Sequence, residues 1–268
     1  MSQTRSGRRP VVLTIAGSDP TAGAGIQADL KTFAALEVDG ASVLTAVTSQ
    51  GRERVSSIYP LPPEVVLAQL EAVLGEFPVA CAKTGMLATG VVIETVARAL
   101  HRINVPVVVD PVLRATVGQS LLEPGAVTRL VKEVLPLATL ITPNGREAEV
   151  LCAERGIEAR DAARRLSELG ARAVLVTGGD GPGPEVIDLL LENGRFTEFR
   201  RPRIGASATH GTGCTLSAAI AAYLSRGCTL PEAVAQAGDY LHGALAAAWS
   251  GRAGDGRLDH LYRSRSDR

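Results

Sequence analysis

The clearest candidate for chemistry is the segment 209–217, which reads THGTGCTLS and lies directly before an Ala-rich stretch of helical period. Its glycines allow the backbone to approach a ligand closely. The amides of a helix N-terminus, together with the helix dipole, favour negative charge such as that on a transferring phosphoryl group. A thiol at Cys214 in this field is expected to have a lowered pKa and could take a proton from an attacking hydroxyl. The pattern also fits a simple helix start with Cys214 as an inert core thiol, and a structural role is favoured for His210.

A second glycine-rich segment, residues 17–29, reads GSDPTAGAGIQAD and connects a predicted strand to a predicted helix. Its glycines do not follow the G-x-G-x-x-G order and no P-loop lysine follows them, so NAD binding is poorly supported. Asp29 lies one turn into the helix, where its carboxylate could accept hydrogen bonds from a ring amine. The alternative is a solvated carboxylate that the helix dipole stabilises.

Two further segments offer oxygen ligands. The segment 142–147, TPNGRE, follows a predicted strand and places Asn144 and Glu147 on one face of the helix that begins there. Mg²⁺ prefers oxygen ligands and retains several waters, although Asn-x-x-Glu is equally an ordinary capping arrangement. Asp110 leaves a fully apolar strand, where a carboxylate needs a cation or a donor. It is therefore predicted to belong to a Mg²⁺ or phosphate network, with a turn-initiating Asp-Pro as the alternative.

Short apolar runs rich in β-branched residues alternate with longer segments of helical period, which predicts βαβ units around a mostly parallel sheet. The predicted strands cover 11–16, 42–48, 79–83, 107–109, 139–142 and 173–177. The predicted helices cover 25–36, 63–74, 91–103, 123–135, 159–169, 212–225 and 230–249. A hairpin over 186–199, turning at Asn193-Gly194, should extend the sheet edge. Because open α/β sheets bind ligands at the carboxyl ends of their strands, the site is expected there.

Length and composition narrow the class of protein. A chain of 268 residues with 46% hydrophobic content can bury a sizeable core, and one domain over 10–250 is expected. The 28 Lys+Arg balance the 28 Asp+Glu and aromatics are only 3%, which disfavours nucleic-acid or membrane-surface partners. No segment approaches the ~20 apolar residues of a membrane span, and the four cysteines indicate reduced thiols in the cytoplasm. The polar ends, 1–9 and 251–268, are predicted to be disordered tails.

In this order, these segments resemble the hydroxymethylpyrimidine/phosphomethylpyrimidine kinases of thiamine biosynthesis, a family of the ribokinase-like superfamily. The most specific matches are LTIAGSD at 13–19, QADLKT at 27–32, KTGML at 83–87, TPN at 142–144 and THGTGCTLS at 209–217. The resemblance implies an α/β three-layer sandwich, with a mainly parallel central sheet, helices on both faces, a small flap and commonly a homodimer. It also implies two reactions that use ATP and Mg²⁺. One phosphorylates the hydroxymethyl oxygen of 4-amino-5-hydroxymethyl-2-methylpyrimidine, and the other converts the monophosphate to the diphosphate.

The resemblance further implies roles for individual residues. Cys214 would be the base, and the anion hole would be formed by Gly211, Thr212 and Gly213. The pyrimidine pocket would be lined by Gly17, Asp29, Gln50, Met86 and Val112, with Asp29 and Gln50 at the polar edge of the ring. Mg²⁺, held through water, and the triphosphate would be organised by Asp110, Asn144 and Glu147, with Thr177 on the nucleotide side. In such sites catalysis is mostly positioning and charge stabilisation.

Several positions depart from the family pattern. Gln50 is followed by Gly51-Arg52 where Asn-Thr is usual, which could change how the flap closes. The loop 113–118 reads LRATVG where MVAKSG is expected, 177–180 reads TGGD for KGGH, and a lysine is expected near Gly238. Loss of lysines beside the phosphates could weaken ATP binding or transition-state stabilisation, and Arg114 is a candidate to replace one of them.

Two other functions stay open. A pyridoxal or pyridoxine kinase of the same superfamily also phosphorylates a ring-borne hydroxymethyl group, and some relatives use a similar Cys loop. Asp29, Gln50 and Met86 favour the aminopyrimidine over that ring. A catalytically weak pyrimidine sensor would fit the missing lysines, although a sensor has no physical need for an anion hole beside a thiol.

Overall fold

The computed structural model describes residues 9–51, 54–115, 117–205, 210–250 and 256–265. Its main sheet is formed by β1 (Val11–Ser18), β2 (Asp39–Gln50), β3 (Val55–Pro60), β4 (Val79–Thr84), β5 (Val107–Val109), β6 (Leu140–Ile141), β7 (Ala173–Val176), β8 (Glu185–Glu192) and β9 (Arg195–Pro202). The nine strands lie in the order β3-β2-β1-β4-β5-β6-β7-β8-β9. The pairs from β2 to β7 are parallel, whereas β2–β3, β7–β8 and β8–β9 are antiparallel. The predicted mainly parallel α/β sheet is confirmed.

Helices cover both faces of this sheet. One face packs against α1 (Gly25–Ala35), α7 (Thr212–Ser225) and α8 (Leu230–Ala246). The other packs against α2 (Pro63–Glu76), α3 (Gly90–Leu100), α5 (Gly145–Cys152) and α6 (Ala159–Glu168). A short helix, α4 (Ala126–Arg129), continues through a π-helical turn, Leu130–Val134, and a 3₁₀ turn, Leu135–Leu137. None of the helices in the described ranges combines the length and the apolar character that crossing a membrane requires.

The alternation of side chains along the strands separates two apolar cores. Leu13 and Ile15 of β1 belong to the core under α2 and α3, whereas Val12, which directly precedes Leu13, belongs to the core under α1 and α7. This is the period of two that a strand imposes on its side chains. Both faces of β1 are therefore buried, which explains why its sequence reads as a continuous apolar run.

Two hairpins lie at opposite edges of the sheet. At the turn between β8 and β9, Asn193 has φ +49° and Gly194 has φ +73°, the left-handed pair that a type I′ turn requires, so the predicted hairpin is confirmed. At the other edge, β2 beyond Val47 pairs with β3 alone and projects as a hairpin. This hairpin corresponds to the predicted flap, although β3 itself is not among the predicted strands. Arg52 of the flap lies outside the described residues.

The structure corrects the prediction for the C-terminal part of the chain. Helix α8 ends at Ala246 rather than 249, and β10 (Trp249–Ser250) pairs with β11 (Gly256–Arg257) before α9 (Tyr262–Arg265). His260 is buried, and its carbonyl accepts a hydrogen bond from the buried Tyr240 hydroxyl. Such long-range bonds join 256–265 to α8, in a part of the chain where the sequence predicts a disordered tail. The rest of the predicted tails, 1–8, 251–255 and 266–268, lies outside the described residues.

Candidate active site

The residues singled out from the sequence lie at the carboxyl ends of neighbouring parallel strands. Gly17 is the penultimate residue of β1, Asp110 directly follows β5, and Thr177 directly follows β7. Asn144 lies shortly beyond the end of β6 and forms an isolated parallel bridge with Thr177. As expected for an open α/β sheet, these residues therefore lie together at the end of the sheet where the carboxyl ends of its parallel strands meet.

Backbone hydrogen bonds join the loops that follow β5, β6 and β7. The amide of Thr177 donates to the carbonyl of Pro143 at 2.9 Å, which fixes the loop after β7 against the loop after β6. The amide of Thr142 in turn donates to the carbonyl of Val109 at 2.9 Å, directly before Asp110. These loops therefore form one continuous rim beside Asp110.

A buried lysine lies in the middle of this carboxyl end of the sheet. The Lys83 ammonium, near the end of β4, lies 3.0 Å and 2.9 Å from the two carboxylate oxygens of Asp29 and 3.8 Å from Oδ2 of Asp110. Its side chain is 0% exposed. Sequence analysis assigned no role to Lys83, although a lysine that closes an apolar strand gives the same signal that singled out Asp110.

Asp29 of α1 is buried next to Lys83. Besides Lys83, its carboxylate accepts a hydrogen bond of 2.6 Å from the Thr14 hydroxyl. Burial raises the pKa of Asp29, while the charge of Lys83 opposes that rise. The solvated alternative for Asp29 is wrong, because α1 packs this residue against β1. Direct contact with a pyrimidine stays a prediction and would require one of these bonds to be exchanged.

Cys214 lies in the first turn of α7 and faces the same charges. Burial raises the pKa of its thiol to about 12; the Lys83 charge opposes this rise, whereas the carboxylates of Asp110 and Asp29 add to it. The thiol also hydrogen-bonds the Asp110 carboxylate. The predicted lowering of the thiol pKa is wrong, because burial and two nearby carboxylates outweigh the helix N-terminus. The role of Cys214 as the base stays a prediction.

The loop before α7 is pressed against the glycine-rich loop after β1. Gly211 has φ +81°, and a Cβ atom at this position would collide with the Gly23 carbonyl, so the position needs glycine for two reasons. His210 Nε2 lies 2.8 Å from Oδ2 of Asp19 and joins the two loops. This contact agrees with the structural role favoured for His210. Thr209 lies outside the described residues.

Asn144 and Glu147 form a capping box at the start of α5. The Asn144 side chain accepts from the Glu147 amide at 2.9 Å, and the Glu147 carboxylate accepts from the Asn144 amide at 3.0 Å. The capping alternative is therefore confirmed. Burial and, next, the Asp110 charge raise the pKa of Glu147 to about 8. A cation between Glu147 and Asp110 would relieve this repulsion.

The described residues fit a water-held Mg²⁺ better than a protein-built metal cage. Within the described ranges, no three His, Cys, Asp or Glu side chains are grouped closely enough to hold a metal ion. Mg²⁺ commonly uses one or two carboxylates together with waters and substrate phosphates. Asp110 and Glu147 supply that number of carboxylates.

The predicted pyrimidine-side residues meet beneath the flap. Met86 and Val112 pack in a small apolar cluster with Ala46 and with Val55 of β3. A Cβ atom added to Gly17 would lie 3.1 Å from the Met86 sulfur, so Gly17 lets the backbone of β1 approach this cluster. Gln50 pairs with Val55 across the flap hairpin. The structure thus brings an apolar wall and one amide side chain to the same end of the sheet.

Two arginines at the end of β9 lie where the family pattern led us to expect lysines. The Arg201 guanidinium covers Gly238, and a Cβ atom at position 238 would collide with it. Arg203 donates to the carbonyls of Gly179 at 2.6 Å and Gly178 at 3.4 Å, in the loop after β7. Arg114, the candidate considered from the sequence, instead bonds the Gly118 carbonyl in its own loop. Sequence reasoning missed these two arginines because a hairpin separates them from that loop.

Comparison with known proteins gives a consistent result. Residues 19–259 match the family described as phosphomethylpyrimidine kinase. The chain is 46% identical to the hydroxymethylpyrimidine/phosphomethylpyrimidine kinase of Rhizobium meliloti, over 94% of this chain and 97% of that one.

Solved structures with related folds include two kinases. The pyridoxal kinase from Staphylococcus aureus in complex with ADP superimposes with a TM-score of 0.88 at 36% identity, covering 97% of this chain and 96% of that one. The phosphomethylpyrimidine kinase from Clostridium difficile superimposes with a TM-score of 0.77 at 36% identity, covering 87% of this chain and 98% of that one. With a family match across most of its length and this identity to a named relative, the chain belongs to the phosphomethylpyrimidine kinase family.

Proposed function

We propose that this chain is a kinase that uses ATP and Mg²⁺ to phosphorylate 4-amino-5-hydroxymethyl-2-methylpyrimidine and then its monophosphate, in thiamine biosynthesis. The observation that carries the proposal is the meeting of Cys214, Lys83 and Asp110 at the carboxyl edge of the sheet, beside the start of α7. The Rhizobium meliloti relative carries this activity in its name. A cytoplasmic homodimer that binds neither nucleic acid nor membrane is the proposed form, in line with the balance of 28 basic and 28 acidic residues.

The pyrimidine would lie between the flap and the end of β1. Met86 and Val112 offer apolar contact to the ring, and Gly17 leaves room for its close approach. Gln50 would hydrogen-bond the polar edge, since its amide both donates and accepts. Asp29 would act on the ring either directly, after exchange of a present bond, or through Lys83.

The phosphates would lie along the rim formed by the loops after β5, β6 and β7. The backbone at Gly211, Thr212 and Gly213 would face the charge that develops during transfer, as helix N-termini do. Asp110 and Glu147 would hold Mg²⁺ through water, with Asn144 fixing Glu147. Mg²⁺, when bound, neutralises phosphate oxygens and orients the phosphoryl group for in-line attack.

The proton of the attacking hydroxyl needs an acceptor. As the hydroxymethyl oxygen bonds to the γ-phosphorus, the bond from that phosphorus to the ADP oxygen breaks. Cys214 can take the hydroxyl proton only after its own proton has left, because its thiol pKa is raised to about 12. Asp110 accepts the thiol's hydrogen bond, and burial raises the pKa of this carboxyl, so Asp110 is placed to receive that proton.

The test compares the wild type with Cys214→Ala and Cys214→Ser. Each protein is given ATP and Mg²⁺ with the hydroxymethylpyrimidine, its monophosphate or pyridoxal, and ADP and the phosphorylated products are quantified. We expect phosphorylation of both pyrimidines by the wild type and loss of most turnover in Cys214→Ala, with pyrimidine binding retained. Pyrimidine binding without any turnover in the wild type would instead identify a sensor.

A pyridoxal kinase is the second candidate. It is supported by the Staphylococcus aureus pyridoxal kinase, which superimposes with a higher TM-score, 0.88, than the Clostridium difficile phosphomethylpyrimidine kinase, 0.77. Comparing kcat/KM for pyridoxal and for the hydroxymethylpyrimidine separates the two. A larger value for pyridoxal would replace the proposed substrate.

A further inference from the structure

The C-terminal segment, defined here as residues 256–265, packs against the two long helices α7 and α8. The Tyr240 hydroxyl of α8 donates to the His260 carbonyl at 2.8 Å, and the Asp259 amide donates to the Ala244 carbonyl at 3.2 Å. Arg263 lies over the Tyr240 ring and donates to the Tyr223 hydroxyl of α7 at 3.1 Å. The backbone of the segment is therefore anchored to α8, and its side chains reach α7.

One of these side chains reaches the first turn of α7. His260 Nε2 lies 3.0 Å from the hydroxyl of Thr215, the residue that follows Cys214. Thr215 is 0% exposed and His260 is 5% exposed, so water does not compete freely for this contact. Burial lowers the pKa of His260 to about 4, with the Lys31 charge acting in the same direction, so the ring is neutral at neutral pH. A buried hydrogen bond between two neutral groups is costly to break.

The first turn of α7 depends on buried side-chain hydrogen bonds such as the one between His260 and Thr215. Among the described residues, no side chain caps this helix at Gly211. The Thr215 amide donates to the Gly211 carbonyl at 2.9 Å and closes the turn that carries Cys214. Ser217 holds the same turn from the sheet side, where its hydroxyl bonds Asp110 at 3.0 Å. Thr215 and Ser217 thus fix the turn from two directions.

We propose that His260 is a positioning residue for Cys214, which it holds in place through its hydrogen bond to Thr215. The inference rests on the proposed function, because it gives the C-terminal segment a role in the phosphoryl transfer. His260 acts at a distance from the reacting atoms. Its effect is to keep the Cys214 thiol at a fixed place relative to Asp110 and Lys83.

The experiment uses the full chain and five variants: His260→Ala, Thr215→Val, Thr215→Ser, the double variant His260→Ala/Thr215→Val, and Leu261→Ala. Thr215→Val removes the hydroxyl but keeps the side-chain shape, and Thr215→Ser keeps the hydroxyl. Leu261 is the matched control, since it neighbours His260 but is 47% exposed. The readouts are kcat and KM for both substrates and the rate at which iodoacetamide alkylates Cys214, mapped by mass spectrometry.

We expect kcat to fall about tenfold in His260→Ala and in Thr215→Val, with KM nearly unchanged, since small misplacements of a reacting group are costly. Thr215→Ser and Leu261→Ala should keep the wild-type kcat. The double variant should lose no more than either single variant, because both remove the same contact. The alkylation rate of Cys214 should change in the same variants that lose turnover.

The proposal is overturned if the two single losses add in the double variant, or if His260→Ala keeps both the wild-type kcat and the wild-type alkylation rate. Should His260→Ala fail to fold, the comparison of Thr215→Val with Thr215→Ser decides the question alone. A wild type that phosphorylates no substrate would refute the proposed function. The alkylation rates would still show whether His260 holds Cys214.

Discussion

His210 Nε2 lies 2.8 Å from Oδ2 of Asp19, although 191 positions separate the two residues in the chain. The same carboxylate oxygen accepts hydrogen bonds from the amides of Gly23 and Ala24, at 3.2 Å and 2.9 Å. Asp19 therefore organises the glycine-rich loop after β1 and ties it to the loop that leads into α7. These are the two loops on which the pyrimidine and the transferring phosphate are proposed to meet.

Asp19→Asn should weaken the fold in a way that depends on pH. Burial alone would raise the pKa of Asp19, but hydrogen bonds from His210, Thr21 and Ala24 hold it well below its usual range. A carboxyl whose pKa is lower in the folded state stabilises the fold fully above its unfolded pKa of about 4, and loses that contribution as pH falls below it. Urea unfolding from pH 7 downward should show a steeper loss for the wild type than for Asp19→Asn.

The control for this prediction is Asp161→Asn, which removes a carboxylate that is 63% exposed. It should leave the acid dependence of the wild type nearly intact, because exposed pairs contribute little. If the free energy of unfolding falls with pH equally in the wild type and in Asp19→Asn, the Asp19 carboxylate does not contribute to the acid dependence of stability.

Lys83→Met should strongly destabilise the protein. It removes the cation between Asp29 and Asp110 and leaves two buried carboxylates without their partner. Breaking a buried pair in this way costs about 3–5 kcal/mol in the free energy of unfolding. Equilibrium unfolding in urea measures this loss. Adding Asp29→Asn to Lys83→Met should recover part of the stability but not the turnover. If Lys83→Met alone lowers the free energy of unfolding by less than about 1 kcal/mol, the value typical of an exposed ion pair, the prediction is contradicted.

Glu147→Gln should separate capping from metal binding. Glutamine can still serve in the capping box with Asn144, but unlike Glu147 it cannot ionise to bind a cation beside Asp110. The Mg²⁺ concentration for half-maximal phosphorylation should rise about tenfold, as for other groups that support a bound metal. Glu149→Gln, in the same helix, is the matched control. An unchanged Mg²⁺ dependence in Glu147→Gln would leave Glu147 with its capping role alone.

The sequence predicts most of the fold because several parallel strands, namely β1, β5 and β7, are buried on both faces and read as apolar runs. The run at 107–109 is wholly apolar and its predicted bounds agree with β5, and the hairpin turn at Asn193-Gly194 is identified by its conformational requirement. Strand β3 escapes sequence analysis because Val55 is the one buried residue among its six, so it shows no buried apolar run. The order of the C-terminal segment escapes it because that order depends on partners such as Tyr240 that are distant in sequence.

The same distinction applies to the site. That Asp110, Asn144 and Thr177 meet follows from the rule for strand ends, which needs only the order of the elements. The pKa of Cys214 does not follow from its own segment, because it depends on burial and on charges carried by other elements, including Lys83 on β4. Local motifs therefore locate the chemistry, whereas its electrostatics require the assembled fold.

Arg203→Met should weaken nucleotide binding more than it slows the transfer. Arg203 donates to the carbonyls of Gly178, Gly179 and Gly183, and so fixes the loop that follows β7. Methionine keeps much of the aliphatic stem but none of these hydrogen bonds. With the loop free to move, its groups must be ordered when ATP binds, which raises KM for ATP by about tenfold. Steady-state kinetics with varied ATP at saturating pyrimidine measure this change.

Arg200→Met is the matched control, because Arg200 lies in β9 and Arg203 directly follows that strand. Arg200 is 53% exposed and pairs with Glu185 and Glu198 at the surface, so its loss should leave KM for ATP near the wild-type value. The KM for the pyrimidine should stay constant in both variants, because the flap lies at the opposite edge of the sheet. Equal effects of Arg203→Met on both KM values would show a general loss of structure instead. A rise in KM for ATP alone would show that the hydrogen bonds of Arg203 keep the loop after β7 in the conformation that binds the nucleotide.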